Sequence, residues 1–350
     1  MLANKYSKEE LKKRLYAETF ERITLSFYRY IRIENVEQFR DDLYVAFGAL
    51  GVLGRIYVAH EGINAQLSLP EHNWEAFKDF VNSNEFIKDV PFKIAVEDDG
   101  KSFYKLIVRV KEKIVGDGLA DGEIDFSDVG KHIEAKELNA ALDDPDTIII
   151  DMRNHYESEV GCFENAICPD VDTFRDALPK ALELAEGKKD HKIILYCTGG
   201  IRCEKAGAYF RHYGFKNVNQ LYGGIIAYAS QIKVEGLPSK FIGKNFVFDE
   251  RLGERITNDI ISQCHQCGKP CDDHTNCAND DCHLLFIQCE ECKERLKGCC
   301  TEACMYIIEL PIEEQRKLRK GKKKDNAHSV YKSRLRPDLK ELYLTTDFSY

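Results

Sequence analysis

The spacing of apolar residues divides this chain into segments of different architecture. Residues 23–31 (ITLSFYRYI) read as a strand, and residues 36–50 as a helix with Phe39, Leu43, Phe47 and Leu50 on one face. Two more strands are predicted at 55–59 and 63–67, broken at Glu61-Gly62. A second helix fits 73–82, with Trp74, Phe77, Phe80 and Val81 on its apolar side. The alternating run 105–110 (KLIVRV) closes the set. The order β-α-β-β-α-β predicts a ferredoxin-like α+β sandwich over residues 1–115.

From residue 131 the pattern changes. A helix over 133–142 leads to a strand at 147–150, followed by Asp151-Met152-Arg153. A helix over 173–185 precedes the apolar strand 192–196 (KIILY). Then come a helix over 203–213, a strand near 218–221, Gly223-Gly224 and a helix from Ile225. Strands alternating with helices predict an α/β domain over 131–240, its parallel sheet covered on both faces. Between the two domains, residues 116–130 carry four glycines and five acids and read as a linker. Residues 241–310 form a cysteine-rich module with too few apolar residues to hold a fold unaided, and 311–350 a flexible basic tail.

Composition excludes several classes. With 350 residues, 43% hydrophobic and 31% charged, the chain is globular rather than disordered. No run of eighteen apolar residues is present, so no membrane span is expected, and MLANKYSKEELKKRLYAETF lacks the apolar core of a secretory signal. The expected location is the cytoplasm, where 14 cysteines point to catalysis or metal rather than disulfides. The net charge is −9, yet residues 316–340 hold eleven lysines and arginines against Asp325 and Asp338. That tail resembles a nucleic-acid-binding arm, with a merely solubilising tail as the alternative.

The sharpest chemical signal is Cys197-Thr198-Gly199-Gly200-Ile201-Arg202, at the end of a buried strand and the start of a helix. Glycines let successive N–H groups turn inward, and the helix adds its positive end, so the loop should cradle an anion and lower the Cys197 pKa. Four residues separate Cys197 from Arg202, a tighter ring than the five of cysteine-dependent phosphatases, and Tyr196 stands where those enzymes carry His. Asp151, Arg153 and Glu157 are read as braces of the loop through charge-assisted hydrogen bonds rather than as reacting groups. Cys203 is either a thiol that resolves an oxidised or persulfidated Cys197 or a small apolar packing residue. Cys162 and Cys168 lack metal-ligand spacing and read as packing residues. His60-Glu61-Gly62-Ile63-Asn64 is either a substrate contact or a turn built on Gly62.

Ten cysteines lie between 264 and 304. Two knuckles, Cys264-His265-Gln266-Cys267 and Cys289-Glu290-Glu291-Cys292, predict a four-thiolate zinc site. Cys271, Cys277, Cys282, Cys299, Cys300 and Cys304, with His274 and His283 in reserve, are candidates for a second. An iron–sulfur cluster is the rival reading. No flavin or nicotinamide fingerprint is present.

With DMRNHYE and GCFENAI, the loop resembles a rhodanese domain over roughly 131–240, although Thr198 replaces the family's usual arginine and argues against thiosulfate as substrate. SFYRYIRI, AHEGINAQ, DGKSF, YCTGGIRCEKAG, FIGKNFVFDERLGERI and CHQC…HTNC…CHLLFIQC…KGCC together resemble the rhodanese-domain tRNA uridine hydroxylases over about residues 20–305. That resemblance implies formation of 5-hydroxyuridine at the tRNA wobble position with molecular oxygen as co-substrate, Cys197 as the active cysteine, and the anticodon arm of tRNA as partner. Two roles stay open for Cys197: addition to carbon 6 of uracil, with Arg202 and the loop N–H groups stabilising the developing oxyanion charge, or carriage of oxygen as a sulfenate or a persulfide-derived oxidant. The competing classes are a sulfurtransferase that passes persulfide sulfur from Cys197, and a zinc-stapled RNA-binding scaffold.

Overall fold

The computed structural model describes residues 4–320, 330–331 and 339. The front domain runs α1 (Lys8–Tyr16), β1 (Arg22–Tyr30), α2 (Val36–Ala49), β2 (Leu53–Ala59), β3 (Gly62–Pro70), α3 (Trp74–Ser83), β4 (Lys93–Ile94) and β5 (Leu106–Val110). Its sheet has the order β4-β1-β3-β2-β5, antiparallel except for the parallel pair β2–β5. The ferredoxin-like sandwich is therefore closed by the two-residue strand β4, and not by residues 105–110 as the sequence suggested. Those residues add a fifth strand at the far edge. A strand of two residues carries no periodicity, whereas KLIVRV does.

One face of this sheet is an apolar core. Leu25, Phe27, Ile56, Val58, Ala65 and Leu67 pack there with Phe39, Leu43, Phe47, Phe77 and Val81 of the helices. The alternate residues Thr24, Ser26, Tyr28, Arg55, Tyr57, Asn64 and Gln66 fall on the opposite face, because successive strand side chains point to opposite sides. That face lies against the central domain. The β2–β3 turn demands glycine: Gly62 has φ +143°, and a Cβ there would lie 2.0 Å from the Arg29 carbonyl oxygen.

The central domain contains β6 (Lys131–Ile133), α4 (Ala135–Leu142), β7 (Thr147–Asp151), α5 (His155–Ser158), β8 (Gly161–Phe163), α6 (Phe174–Leu184), β9 (Lys192–Tyr196), α7 (Ile201–His212), β10 (Asn217–Leu221) and α8 (Gly224–Glu235). Strands β6-β10-β9-β7 form a parallel sheet. Along β9, Ile193 and Leu195 enter one core while Ile194 and Tyr196 enter the other, so the strand reads as an unbroken apolar run. The helix expected from residue 133 begins at Ala135, because Lys131–Ile133 pairs with β10.

Residues 116–130 are not a loose linker. Ile124 is buried in the central core, and the buried Asp117 carboxylate lies 2.6 Å from Lys205 Nζ and 2.8 Å from Lys113 Nζ. The last segment comprises β11 (Phe241–Asn245), β12 (Glu254–Arg255), β13 (His274–Asn276), β14 (Leu285–Ile287), α9 (Glu290–Leu296), α10 (Glu302–Glu309) and α11 (Ile312–Arg319). Strand β11 pairs with β8, which ties this module to the central domain. Helix α11 occupies the start of the stretch expected to be a flexible tail, and most of its remainder lies outside the described residues.

Candidate active site and metal centres

Cys197 stands at the carboxyl end of the central strand β9, where open parallel sheets place their ligands. The chain then turns through Gly200, at φ +94°, into α7. A second turn, Gly223-Gly224, brings α8 alongside: Ile225 N donates to the Cys197 carbonyl (3.0 Å) and Ile226 N to that of Thr198 (3.2 Å). A Cβ on Gly224 would lie 2.5 Å from the Cys197 carbonyl oxygen, so the two turns fit only with glycine there.

Burial pushes the Cys197 thiol up. It is outweighed by a hydrogen bond from Cys203, by the Arg202 charge and by the N–H groups of Arg202 and Gly200, which bring the pKa down to about 6. Gly200 N donates to Sγ at 3.1 Å. Cys203 shifts the opposite way, well above its usual range, through burial and the same hydrogen bond. At neutral pH the pair is therefore a Cys197 thiolate supported by a Cys203 thiol. Cys203 sits behind the loop and does not line the cavity in front of it.

The residues expected to brace the loop form two buried ion pairs. Arg153 donates from Nε to Asp151 Oδ1 (2.9 Å), from Nη2 to Oδ2 (2.6 Å) and from Nη2 to the Gly161 carbonyl (2.6 Å). Arg202 donates from Nη1 and Nη2 to Glu157 Oε1 and Oε2 at 2.6 and 2.8 Å. Glu157 also accepts from Asn154 N at 3.0 Å. Asp151, Arg153 and Glu157 lie beneath the loop and outside the cavity, whereas Cys197, Thr198, Gly199, Ile201 and Arg202 line it.

The cavity measures about 300 Å³ and is built by all three parts of the chain. The open face of the front sheet contributes Tyr28, Tyr57, Asn64, Gln66 and Lys93, and the C-terminal module contributes Phe248, Arg251 and Glu254. Sequence reasoning missed this wall. Its signal was the two-residue alternation of ITLSFYRYI, which segregates Thr24, Ser26, Tyr28 and Tyr30 from the core positions Leu25 and Phe27. The front domain is fastened directly to the helix after the loop. Tyr28 Oη donates to Glu204 Oε1 (2.9 Å), Tyr30 Oη to the Ile201 carbonyl (3.1 Å), and Lys205 Nζ to both Glu61 oxygens (2.8 and 3.0 Å). Of the His60–Asn64 cluster, Glu61 thus serves docking, His60 Nδ1 lies 2.8 Å from the Ile33 carbonyl, and Asn64 faces the cavity.

In the C-terminal module the sulfurs of Cys264, Cys267, Cys289 and Cys292 lie within 4.8 Å of one another, as do those of Cys277, Cys282, Cys300 and Cys304. Separations of 3.6 Å (Cys267–Cys289), 3.7 Å (Cys282–Cys300) and 3.8 Å (Cys300–Cys304) match a tetrahedron around one ion. With metal–sulfur bonds of about 2.3 Å, its edge is about 3.8 Å. Both sites fit a single ion, and neither is spread around a multi-iron cluster. Two expected ligands fall outside these groups. Cys271 is a buried thiol packed beside Val160 and Leu285, pushed up to about 11 by burial. Cys299 packs with Leu284 and Phe286, and its neighbour Cys300 supplies the sulfur instead. His274 is buried against Phe246 and His283 lies toward Asp280, both outside the two groups. Cys162 and Cys168 are both half-buried and are joined by a thiol–thiol hydrogen bond.

Models of known families match in three consecutive pieces: a UPF0176 acylphosphatase-like domain over 22–114, a rhodanese-like domain over 134–231 and a rhodanese C-terminal segment over 242–305. A protein of Leptospira interrogans named tRNA uridine(34) hydroxylase is 57% identical, over 98% of this chain and 93% of its own length. Another of that name, from Enterobacter sp. (strain 638), is 57% identical over 93% of this chain and 94% of its own. The chain belongs to the tRNA uridine(34) hydroxylase family. The matched span takes in front sheet, loop and cysteine module alike. Among the described residues no helix is long and apolar enough to cross a membrane.

Proposed function

We propose that this chain hydroxylates the wobble uridine of tRNA at carbon 5, as an oxidoreductase with molecular oxygen as co-substrate and Cys197 as the reacting thiolate. The observation that carries the reading is the Cys197 thiolate, with a pKa near 6, opening into a cavity walled by Tyr28, Tyr57, Asn64 and Gln66. Aromatic and amide side chains suit a flipped pyrimidine, whose faces stack and whose edge carries donors and acceptors. A neutral uracil is unreactive at carbon 5. Addition of Sγ to carbon 6 opens the ring double bond and makes carbon 5 electron-rich toward oxygen. One oxygen atom enters at carbon 5, and the other leaves as water with two electrons and two protons from an external thiol reductant. Loss of the carbon 5 proton expels Sγ and restores the double bond. The anticodon arm is the partner, the basic tail supports its grip, and two zinc ions hold the C-terminal module folded.

Mass spectrometry of tRNA nucleosides from cells carrying Cys197→Ser in place of the native protein tests the reading. Loss of 5-hydroxyuridine is expected, and undiminished modification overturns the role of the thiolate. Turnover of a sulfane-sulfur donor by the purified protein, without any change in 5-hydroxyuridine when Cys197 is replaced, would favour the sulfurtransferase class.

A further inference from the structure

Four cations line the cavity: Arg55, Lys93, Arg202 and Arg251. Arg202 is held by Glu157, Arg251 by Asp249 and Glu254, and Arg55 reaches the Phe248 carbonyl at 3.5 Å. Lys93 is different. Its residue is buried, 7% exposed, yet among the described residues its ammonium has no carboxylate partner. It projects from β4, held beside Ser26 of β1, and its stem runs across both glycine turns of the loop. A Cβ on Gly199 would lie 3.8 Å from Lys93 Cδ, and one on Gly223 3.7 Å from Lys93 Cε. The ammonium sits 4.3 Å from the Tyr28 ring centroid, a cation–π contact that fixes its height above the loop.

The opposing charges it feels are the Cys197 thiolate and Glu204, and among the described residues it forms a salt bridge with no carboxylate. A cation gripped by no carboxylate at the mouth of a thiolate loop has a use when the charge of that thiolate passes into the cavity. On the reading that Cys197 adds to carbon 6 of uridine, we propose that Lys93 is the electrophilic catalyst of that addition. As the Sγ–C6 bond forms, the C5–C6 π pair moves toward the 4-carbonyl oxygen, and the Lys93 ammonium donates its hydrogen bond or proton to that oxygen. The charged form is the active one. Burial lowers the Lys93 pKa to about 8, against the opposing charges of Cys197 and Glu204. The groups facing it are Cys197 on the loop, Glu204 on α7 and Tyr28 on β1. An acid with a pKa near 8 gives up its proton readily at neutral pH.

The test uses full-length protein and an anticodon stem-loop RNA carrying 5-fluorouridine at the wobble position, which traps a thiolate added at carbon 6 as a covalent adduct. Wild-type protein is expected to form the adduct at a rate that rises through pH about 6 and falls through about 8. Lys93→Met should slow adduct formation by roughly 100-fold or more at saturating RNA, with RNA affinity changed less than about two-fold. Lys93→Arg should restore most of the rate and abolish the alkaline fall, since guanidinium does not titrate there. A wild-type rate in Lys93→Met, or an alkaline limb that survives in Lys93→Arg, overturns the proposal. Should Lys93→Met not fold, the alkaline limb alone decides. Absence of adduct from wild-type protein that still makes 5-hydroxyuridine in cells removes the addition step and Lys93's role with it. In that case the proposed function stands. Absence of both removes the two together.

Discussion

Arg202 meets Glu157 end-on, two guanidinium nitrogens on two carboxylate oxygens at 2.6 and 2.8 Å, with the Glu157 side chain wholly buried. The arginine of the loop is therefore a strut. Its charge still lowers the Cys197 pKa, but Nη1 and Nη2 are both engaged by a carboxylate, although the residue borders the cavity. Electrostatic support for a reacting base must come from the other wall, which is where Lys93 stands.

Glu157→Gln should expose that strut's importance. Removing one charge of a buried pair leaves the other uncompensated, at a cost of about 3–5 kcal/mol. Urea denaturation would read this loss, and a cost below about 1 kcal/mol, the range of exposed pairs, would show that the pair is solvated. The pH sign follows from the lowered Glu157 pKa, which burial opposes and Arg202 and Arg153 enforce. The contribution is complete above the ordinary carboxylate pKa and is lost as pH falls through the lower folded value. Wild-type stability should therefore fall more steeply than that of Glu157→Gln in acid.

Cys203→Ala tests the thiol that supports the thiolate. Without that donor, the Cys197 pKa should move above about 6, since the hydrogen bond from Cys203 is the leading influence lowering it. The rate of iodoacetamide labelling at Cys197, followed by peptide mass spectrometry across pH, should shift to higher pH. An unchanged midpoint would assign the lowering to Arg202 and the loop N–H groups alone.

What was legible in the sequence was local. The loop lies within six consecutive residues, its braces within seven, and each could be read from residue type and spacing. The cavity wall was hidden because Tyr28 and Glu204 are 176 residues apart, and alternation says which face a residue takes but not what meets it. Lys93 sits on a strand of two residues, too short to show any period. In the cysteine module the adjacent pair Cys299-Cys300 defeated spacing arguments. Neighbouring side chains diverge, one into the apolar cluster and one toward the metal site, and only the turn before α10 decides which.

Lys205→Met should detach the front domain. The Lys205 side chain is 1% exposed and bridges Glu61 of the β2–β3 turn to Asp117 of the segment 116–130. Its loss leaves the buried Asp117 with Lys113 as its close cation and the Leu119 N–H as a further donor, at an expected cost of about 3–5 kcal/mol. Limited proteolysis should then cut within residues 116–130 at a rate well above wild type, and RNA adducts at Cys197 should be lost because the cavity loses a wall. Resistance equal to wild type would mean that the tyrosine contacts of β1 hold the interface without the lysine.

The two four-cysteine groups, each able to hold a metal ion, make separable predictions. Elemental analysis of purified protein should give two zinc ions per chain. Cys267→Ser should remove one and Cys304→Ser the other, because each takes a sulfur from a different tetrahedron. Cys271→Ser and Cys299→Ser should keep both ions, even where burying a hydroxyl in an apolar cluster lowers stability. Since metal binding energy is folding energy in modules with so little core, a strong chelator should unfold residues 264–304 and leave the parallel sheet intact. The cavity would nonetheless open, because Phe248, Arg251 and Glu254 are carried on the segment that joins β11 to this module. Retention of both ions by Cys304→Ser, or loss of one by Cys271→Ser, would require a different set of ligands from the one the sulfur positions define.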